Sequence, residues 1–178
     1  MYEVEIKLPA EHEPVRKALA ASGATRLGEL TQRDMYYDAP HRDFADSDEA
    51  LRLREETAEE RTAVLTYKGP KVDPQAKTRI EHETVVDSPA ALGDILTSLG
   101  FSPAATVEKT RERYELDEIL VSLDTVAGVG SFVEAETEAK ADGLDAARET
   151  VEATLRQLGL EPDEQIRRSY LELVLEAE

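Results

Sequence analysis

Glutamates that alternate with other residues along strand-like segments constrain the fold of this chain more than any other feature. Successive side chains of a β-strand point to opposite faces, so the two glutamates of a Glu-x-Glu pair share one face. Such pairs occur three times, at Glu3/Glu5, Glu81/Glu83 and Glu134/Glu136. A helix-like stretch that ends in glycine follows each pair. The repeated strand–helix unit predicts a fold with internal pseudo-symmetry.

Basic residues show the same alternation in other segments. Eight cations occupy period-two positions, namely Lys7, Arg52, Arg54, Lys68, Arg79, Lys109, Arg111 and Arg113. The whole chain carries a formal net charge of -18, so these few bases stand out against an acidic background. Their placement on strand faces predicts a binding site for an anionic ligand.

The acidic composition also limits the partners of the protein. The 39 acidic residues exceed the 21 basic ones, and a general nucleic-acid-binding protein needs a basic face. We therefore expect no nucleic-acid partner. We interpret the surplus of acids as a halophilic adaptation, because high salt screens the repulsion between them. The alternative interpretation is an acidic protein that binds cations or basic partners.

Several other kinds of site are absent from the sequence. The chain has no cysteine, which excludes disulfides and thiolate metal sites. His12, His41 and His82 lie far apart and lack metal-ligand spacing. There is no apolar run of about 18 residues and no signal-peptide pattern. The sequence thus predicts a soluble, cytoplasmic protein without a membrane partner.

Hydrophobic periodicity predicts about eight strands and four main helices in one domain. Residues 25–38 hold one or two strands, and the segments 50–56 and 62–68 are predicted to form an antiparallel hairpin. Gly-Pro and Asp-Pro predict a loop over residues 69–76. The predicted helices cover residues 11–22, 89–100, 144–158 and 164–176.

A single antiparallel barrel with its charged face inward would bring the alternating charges together. The lumen would then hold Glu3, Glu5, Lys7, Arg52, Arg54, Lys68, Arg79, Glu81, Glu83, Lys109, Arg111, Arg113, Asp124, Glu134 and Glu136. Two cations about 6 Å apart repel by about 3 kcal/mol at an effective dielectric constant near 20, so such a ring needs anions. Lysine and arginine suit phosphate oxygens, and carboxylates suit Mg²⁺ or Mn²⁺. This combination is typical of phosphoryl or nucleotidyl transfer, whereas the alternative is a set of cross-strand ion pairs in a wet barrel.

Several motifs, in order along the chain, resemble those of the CYTH family, also called triphosphate tunnel metalloenzymes. They are Glu3-Val-Glu-Ile-Lys7, Gln32-Arg-Asp-Met-Tyr-Tyr-Asp38, Leu51-Arg-Leu-Arg54, Leu65-Thr-Tyr-Lys-Gly-Pro70, Arg79-Ile-Glu-His-Glu83, Glu108-Lys-Thr-Arg111, Ser122-Leu-Asp124 and Gly128-Val-Gly-Ser-Phe-Val-Glu-Ala-Glu136. Ser169-Tyr-Leu-Glu-Leu173 resembles the closing helix of the family. The resemblance covers essentially the whole chain.

The resemblance implies an α+β fold, in which a single CYTH domain over residues 1–178 forms an eight-stranded antiparallel barrel with helices packed outside. The implied metal ligands for two Mg²⁺ or Mn²⁺ ions are Glu3, Glu5 and Glu136, with Glu134 and Asp124 beside them. The implied triphosphate ligands are Lys7, Arg52, Arg54, Lys68, Lys109 and Arg111, of which we expect Lys7, Lys68 and Arg111 to be catalytic. Arg79 and Arg113 are further candidate triphosphate ligands in the tunnel, and Glu81 and Glu83 are expected to line it without an assigned role.

The tracts 32–38 and 128–132 look most like the class IV adenylyl cyclase (CyaB-like) branch. This branch implies conversion of ATP to 3′,5′-cyclic AMP and pyrophosphate, and a homodimer. A second hypothesis is a triphosphatase, in which water attacks tripolyphosphate, thiamine triphosphate or a nucleotide. A third is a non-catalytic module that binds polyphosphate or a nucleotide. A contribution from the hydroxyl of Tyr36 stays open.

Overall fold

A computed structural model describes residues 1–72, 75 and 77–178 of the protein. The eight strands are β1 (Tyr2–Pro9), β2 (Thr25–Asp38), β3 (Ala50–Thr57), β4 (Arg61–Lys68), β5 (Lys77–Val85), β6 (Ser102–Leu116), β7 (Ile119–Val126) and β8 (Gly130–Ala139). The helices are α1 (His12–Ala21), α2 (Pro89–Ser98), α3 (Leu144–Gln157) and α4 (Tyr170–Ala177). Short 3-10 turns cover Ala141–Gly143 and Pro162–Glu164.

The strands form one closed barrel in the order β1-β5-β4-β3-β2-β6-β7-β8, and β8 pairs with β1. Every pairing is antiparallel. The predicted α+β barrel with helices outside is confirmed. Among the described strands, closure joins both edges of the sheet, and this protects it from pairing with other chains.

Alternation along β1 separates the two faces of the barrel. Val4 and Ile6 are fully buried in an apolar core that also includes residues of α1 and α3. Glu5 and Lys7 occupy the alternate positions, and their Cα partners on β8 are Glu136 and Glu134. The main core therefore lies between the outer barrel wall and the helices, and the inner wall is charged.

The predicted strand–helix repeat is present. Each Glu-x-Glu strand, β1, β5 and β8, is followed by a helix, α1, α2 and α3. The hairpin of β3 and β4 also forms as predicted. Helix α2 begins after Ser88, whose side chain accepts a hydrogen bond from the Ala91 amide, and Pro89 takes the first helical position.

The structure decides one open prediction and corrects another. Residues 25–38, predicted to hold one or two strands, form one long strand, because the register shift between Arg26 and Gly28 bends it without ending it. The last helix begins after Ser169 rather than at residue 164. A capping box of Ser169 and Glu172 sets its start, and Ile166 instead pairs with Lys7 of β1. Of the predicted loop 69–76, residues 73, 74 and 76 lie outside the described residues.

None of the described helices combines the length and the apolar character needed to cross a membrane.

Candidate active site

The barrel encloses a cavity of about 280 Å³ whose charged walls come from the alternating strand positions. Most of the predicted site residues line it, namely Glu3, Glu5, Lys7, Arg52, Arg54, Lys68, Arg79, Glu81, Glu83, Lys109, Arg111, Glu134 and Glu136. Tyr36 lines it too. Asp124 and Arg113 are not among the lining residues. Acidic and basic side chains from distant parts of the sequence thus face one space.

Three carboxylates form a compact cluster on one side of this cavity. One oxygen each of Glu3, Glu5 and Glu136 lies within 4.8 Å of the others. Glu5 and Glu136 are direct cross-strand partners, which brings β1 and β8 carboxylates together. Such oxygen donors at this separation fit a hard divalent cation such as Mg²⁺ or Mn²⁺.

The pKa values of two cluster carboxylates are raised by burial and by the neighbouring negative charges. Burial raises the pKa of Glu136 well above its ordinary value, and the neighbouring charges of Glu3 and Glu5 raise it further. Burial also raises the pKa of Glu3, against the lowering effect of Lys68. Mutual repulsion of this kind is what a bound divalent cation relieves.

A second network surrounds Arg111. Its guanidinium donates two hydrogen bonds of 2.6 Å to Asp124 and one of 2.8 Å to Glu134. Asp124 is fully buried, and it also accepts a 2.6 Å hydrogen bond from the hydroxyl of Tyr170. Both of its oxygens are therefore engaged by neighbouring side chains. Burial works against the charge of Arg111, but Asp124 and Glu134 raise its pKa well above the usual value.

A third network holds Arg54 and Lys109 through Asp34, a residue that sequence reasoning did not select. Arg54 donates two hydrogen bonds to Asp34, at 2.7 and 2.8 Å, and Lys109 Nζ lies 3.3 Å from Asp34 Oδ2. Burial alone would raise the pKa of Asp34, but Arg54 and Lys109 lower it below its usual range. Alternation with Gln32 and Tyr36 along β2 was the signal that could have found it.

The surroundings of Lys109 disfavour its charged form. Burial lowers the pKa of Lys109 to about 7, and the charges of Arg54 and Arg111 act in the same direction. Lys7 is only 1% exposed, and its Nζ lies 4.0 Å from the ring centroid of Tyr170. The aromatic ring of the last helix therefore reaches into the barrel and contacts a predicted phosphate ligand.

Two further cations complete the inner wall. Lys68 forms ion pairs with Glu81 and, at 3.6 Å, with Glu3. Arg52 donates a 3.4 Å hydrogen bond to Thr66, and its Nε has no hydrogen-bond partner among the described residues. Arg113 follows Arg111 by two residues on β6 without lining the cavity, and its Nε likewise has no partner in the described part of the chain. The cavity-lining cations form a surface that we call the basic wall, namely Lys7, Arg52, Arg54, Lys68, Arg79, Lys109 and Arg111. Lys68 connects this basic wall to the carboxylate cluster.

The mouth of the cavity contains charged residues that the sequence did not point to. Asp48, on the connection between β2 and β3, contacts Lys71 and Arg79, and all three line the cavity. Glu49 beside it accepts a 2.6 Å hydrogen bond from the hydroxyl of Tyr67. These contacts join the connection between β2 and β3 to Lys71, to Arg79 on β5 and to Tyr67 on β4, so the periodic pattern of a single strand does not predict them.

The comparisons with known proteins agree with this geometry. A family model described as the CYTH domain matches residues 1–170. The protein named "Putative adenylate cyclase MJ0240" from Methanocaldococcus jannaschii is 36% identical over 175 residues, which is 97% of this chain and 98% of that protein.

Solved structures show the same architecture. The PH1819 protein from Pyrococcus horikoshii OT3 is 39% identical, with 99% of each chain covered and a TM-score of 0.92. The Hippeastrum protein HpAC1 is 20% identical, covers 89% of this chain and 88% of its own, and has a TM-score of 0.66. At that identity HpAC1 supports the fold alone.

Proposed function

This chain belongs to the CYTH family, and we propose that it is a metal-dependent adenylyl cyclase that converts ATP to 3′,5′-cyclic AMP and pyrophosphate. The observation that carries the proposal is the meeting of a basic wall and a three-carboxylate cluster in one cavity. The name of the Methanocaldococcus relative supports the cyclase reaction in particular.

We assign the triphosphate to the basic wall. The residues that would hold its oxygens are Lys7, Arg52, Arg54, Lys68, Arg79, Lys109 and Arg111. Arginine presents a planar fork that matches two phosphate oxygens, and lysine adds a point charge. Asp34 orients Arg54, and Asp124 orients Arg111, so both forks are fixed before the substrate arrives. We therefore give Asp124 an orienting role in preference to a metal-binding one.

We assign the divalent cations to Glu3, Glu5 and Glu136, with Glu134 beside them. Mg²⁺ or Mn²⁺ bound there would supply positive charge that polarises phosphate oxygens and stabilises developing negative charge. Lys68 contacts Glu3, so it lies where a phosphate and the carboxylate cluster would meet.

In the proposed reaction the ribose 3′-oxygen attacks the α-phosphorus, the bond to the bridging oxygen breaks, and pyrophosphate leaves. The proton of the 3′-hydroxyl goes to solvent. The basic residues act on the leaving group, because pyrophosphate gains negative charge as that bond breaks. Cations already fixed by buried carboxylates stabilise that charge without reorganising.

The second candidate is a triphosphatase, in which water attacks a terminal phosphorus. The fold is compatible with this reaction, because HpAC1, which shares the fold, has a dominant triphosphatase activity. The same basic wall and carboxylates would serve both reactions, which differ in the position of the nucleophile. A non-catalytic anion-binding module is less well supported, because clustered carboxylates weaken simple anion binding.

A product analysis tests the proposal. The protein is incubated with ATP and Mn²⁺ or Mg²⁺ in high-salt buffer at mildly alkaline pH, with tripolyphosphate in a parallel reaction. The cyclase proposal predicts cyclic AMP and pyrophosphate. Orthophosphate from tripolyphosphate without cyclic AMP would replace it with the triphosphatase. Tight binding without turnover in saturating Mn²⁺ would favour the non-catalytic module.

A further inference from the structure

The connection between β2 and β3 carries two adjacent carboxylates to the mouth of the cavity. Glu49 is held in place by the hydroxyl of Tyr67 at 2.6 Å and by Arg42 at 2.7 Å. Tyr67 belongs to β4, so this contact ties the connection to the barrel wall. The anchored Glu49 fixes the position of its neighbour, Asp48.

Asp48 binds two cations that line the cavity. Its Oδ2 accepts a 2.8 Å hydrogen bond from the amide of Lys71, and its Oδ1 lies 2.6 Å from Lys71 Nζ and 3.4 Å from Arg79 Nη2. One carboxylate therefore receives two positive charges and a backbone donor. This is the arrangement of donors that one phosphate group would accept.

The exposure of Asp48 separates it from the other carboxylates that hold cavity cations. The side chains of Asp34 and Asp124 are 1% and 0% exposed and lie on barrel strands. The side chain of Asp48 is 43% exposed and lies on a connection. The buried side chains of Asp34 and Asp124 have no access to solvent, whereas the side chain of Asp48 can rotate toward solvent.

The surroundings of Asp48 also allow exchange. Its φ of 55° lies in the left-handed region, which aspartate and asparagine adopt more readily than other residues with a Cβ, so the turn does not depend on the two ion pairs. Asp48 is the exposed partner in both pairs, whereas the side chains of Lys71 and Arg79 are 18% and 11% exposed. Solvent can therefore replace the cations around Asp48, but the two cations need another anion.

We propose that Lys71 is a further phosphate-binding residue and that Asp48 holds Lys71 and Arg79 as a stand-in for a phosphate group until a triphosphate displaces it. This inference rests on the proposed triphosphate site. A phosphate group carries more charge than a carboxylate and more acceptor oxygens, so it competes successfully for both cations.

Calorimetric titration with tripolyphosphate in EDTA, without turnover, tests the exchange. Asp48→Asn removes the competing charge, and asparagine tolerates the same backbone conformation. We expect it to bind tripolyphosphate about two- to fivefold more tightly than wild type. Lys71→Gln should bind about tenfold more weakly. In the double variant, Asp48→Asn should increase the affinity for tripolyphosphate less, because Lys71, the cation that Asp48 mainly neutralises, is then absent.

Asp34→Asn is the matched control, since it removes a carboxylate that we regard as a fixed orienting group. Asp34→Asn should weaken tripolyphosphate binding, whereas Asp48→Asn should strengthen it. Unchanged or weaker binding by Asp48→Asn overturns the exchange, and unchanged binding by Lys71→Gln overturns the role of Lys71. If wild type binds no tripolyphosphate, this inference fails, and turnover of ATP in Mn²⁺ then decides separately whether the proposed function fails with it.

Discussion

The hydroxyl of Tyr170 donates a 2.6 Å hydrogen bond to Oδ2 of Asp124, which is the oxygen that also accepts from Arg111 Nη2. Tyr170 is the first residue of α4, and Asp124 lies on β7 at a separation of 46 residues. The last helix therefore takes part in fixing a cation inside the barrel. Its docking and the orientation of Arg111 are coupled through one carboxylate.

Tyr170→Phe tests this coupling. The variant keeps the ring contact with Lys7 and removes the hydrogen bond to a buried charge. We expect the free energy of unfolding to fall by about 1.5–3 kcal/mol, measured by urea denaturation. Tripolyphosphate binding should weaken as well, because Arg111 loses part of its support. Tyr114→Phe, in the core outside the barrel, is the control. Equal loss of binding in both variants would refute a specific role of Tyr170.

Arg54 provides a test of the phosphate clamp. Arg54→Ala removes a guanidinium that Asp34 holds in a fixed orientation. Tripolyphosphate affinity should fall about 10- to 100-fold, and orthophosphate affinity should fall much less. Isothermal titration measures both. Arg33→Ala on the neighbouring strand β2, with a half-exposed side chain, is the matched control and should change neither. Equal losses for the two anions would place Arg54 outside the clamp.

Glu5→Gln tests the metal cluster. The substitution keeps the size of a side chain that is 7% exposed but removes one of three clustered charges. We expect Mn²⁺ affinity and metal-dependent turnover to be lost, while circular dichroism and thermal unfolding show an intact fold. Glu108→Gln on β6 is the control, because the side chain of Glu108 is 63% exposed and does not line the cavity. Normal turnover of Glu5→Gln would remove Glu5 from the metal site.

Lys109 makes triphosphate binding dependent on pH. Its pKa is lowered to about 7, so it is largely neutral at pH 8.5. A bound anion favours the charged form, and binding at pH 8.5 should therefore take up a proton. Affinity should fall as pH rises above 7. Titrations in two buffers of different ionisation enthalpy measure the uptake, which Lys109→Arg should reduce. Identical uptake in the variant would assign the proton to another group.

The same pKa shift affects stability with a definite sign. The folded-state pKa of Lys109 lies below the ordinary lysine value, so the unfolded chain binds more protons between about pH 7 and 10. The contribution of Lys109 to stability therefore rises with pH across that window. Urea denaturation of wild type and Lys109→Met at pH 7 and 9 should show a smaller rise in the variant. An equal rise in both would contradict the shift.

The acidic surplus predicts a stability that depends on salt. With 39 acidic and 21 basic residues, the folded chain repels itself, and salt screens that repulsion. The midpoint of thermal unfolding should rise steadily between 0.1 and about 2 M KCl. Sucrose at matched viscosity serves as the control for non-ionic effects. A midpoint that stays constant or falls would refute the interpretation as an adaptation to high salt.

Period-two alternation explains why the barrel wall could be predicted from sequence. A strand with one buried apolar face and one charged face leaves little freedom of register, so Glu5 and Lys7 had to share the inner side. The antiparallel hairpin of β3 and β4 could be predicted because the connection between the two strands is short. Local patterns were enough wherever a single strand carried the information.

Contacts between distant segments explain what the sequence did not reveal. Asp34 stands on the same face as other inner residues, but its role depends on Arg54 of the next strand. Asp48 and Tyr170 reach the cavity from a connection and from the last helix. The start of that helix was misplaced because apolar periodicity continued to Ile166, although the capping box at Ser169 was visible in the sequence.

The identity of the nucleophile is the central claim, and one measurement tests it most directly. The protein is incubated with ATP and Mn²⁺ in H₂¹⁸O, and the products are examined by ³¹P NMR and mass spectrometry. Attack by the ribose 3′-oxygen predicts cyclic AMP and pyrophosphate in equal amounts, with no ¹⁸O in either. Orthophosphate or AMP that carries ¹⁸O would show attack by water and would contradict the cyclase assignment.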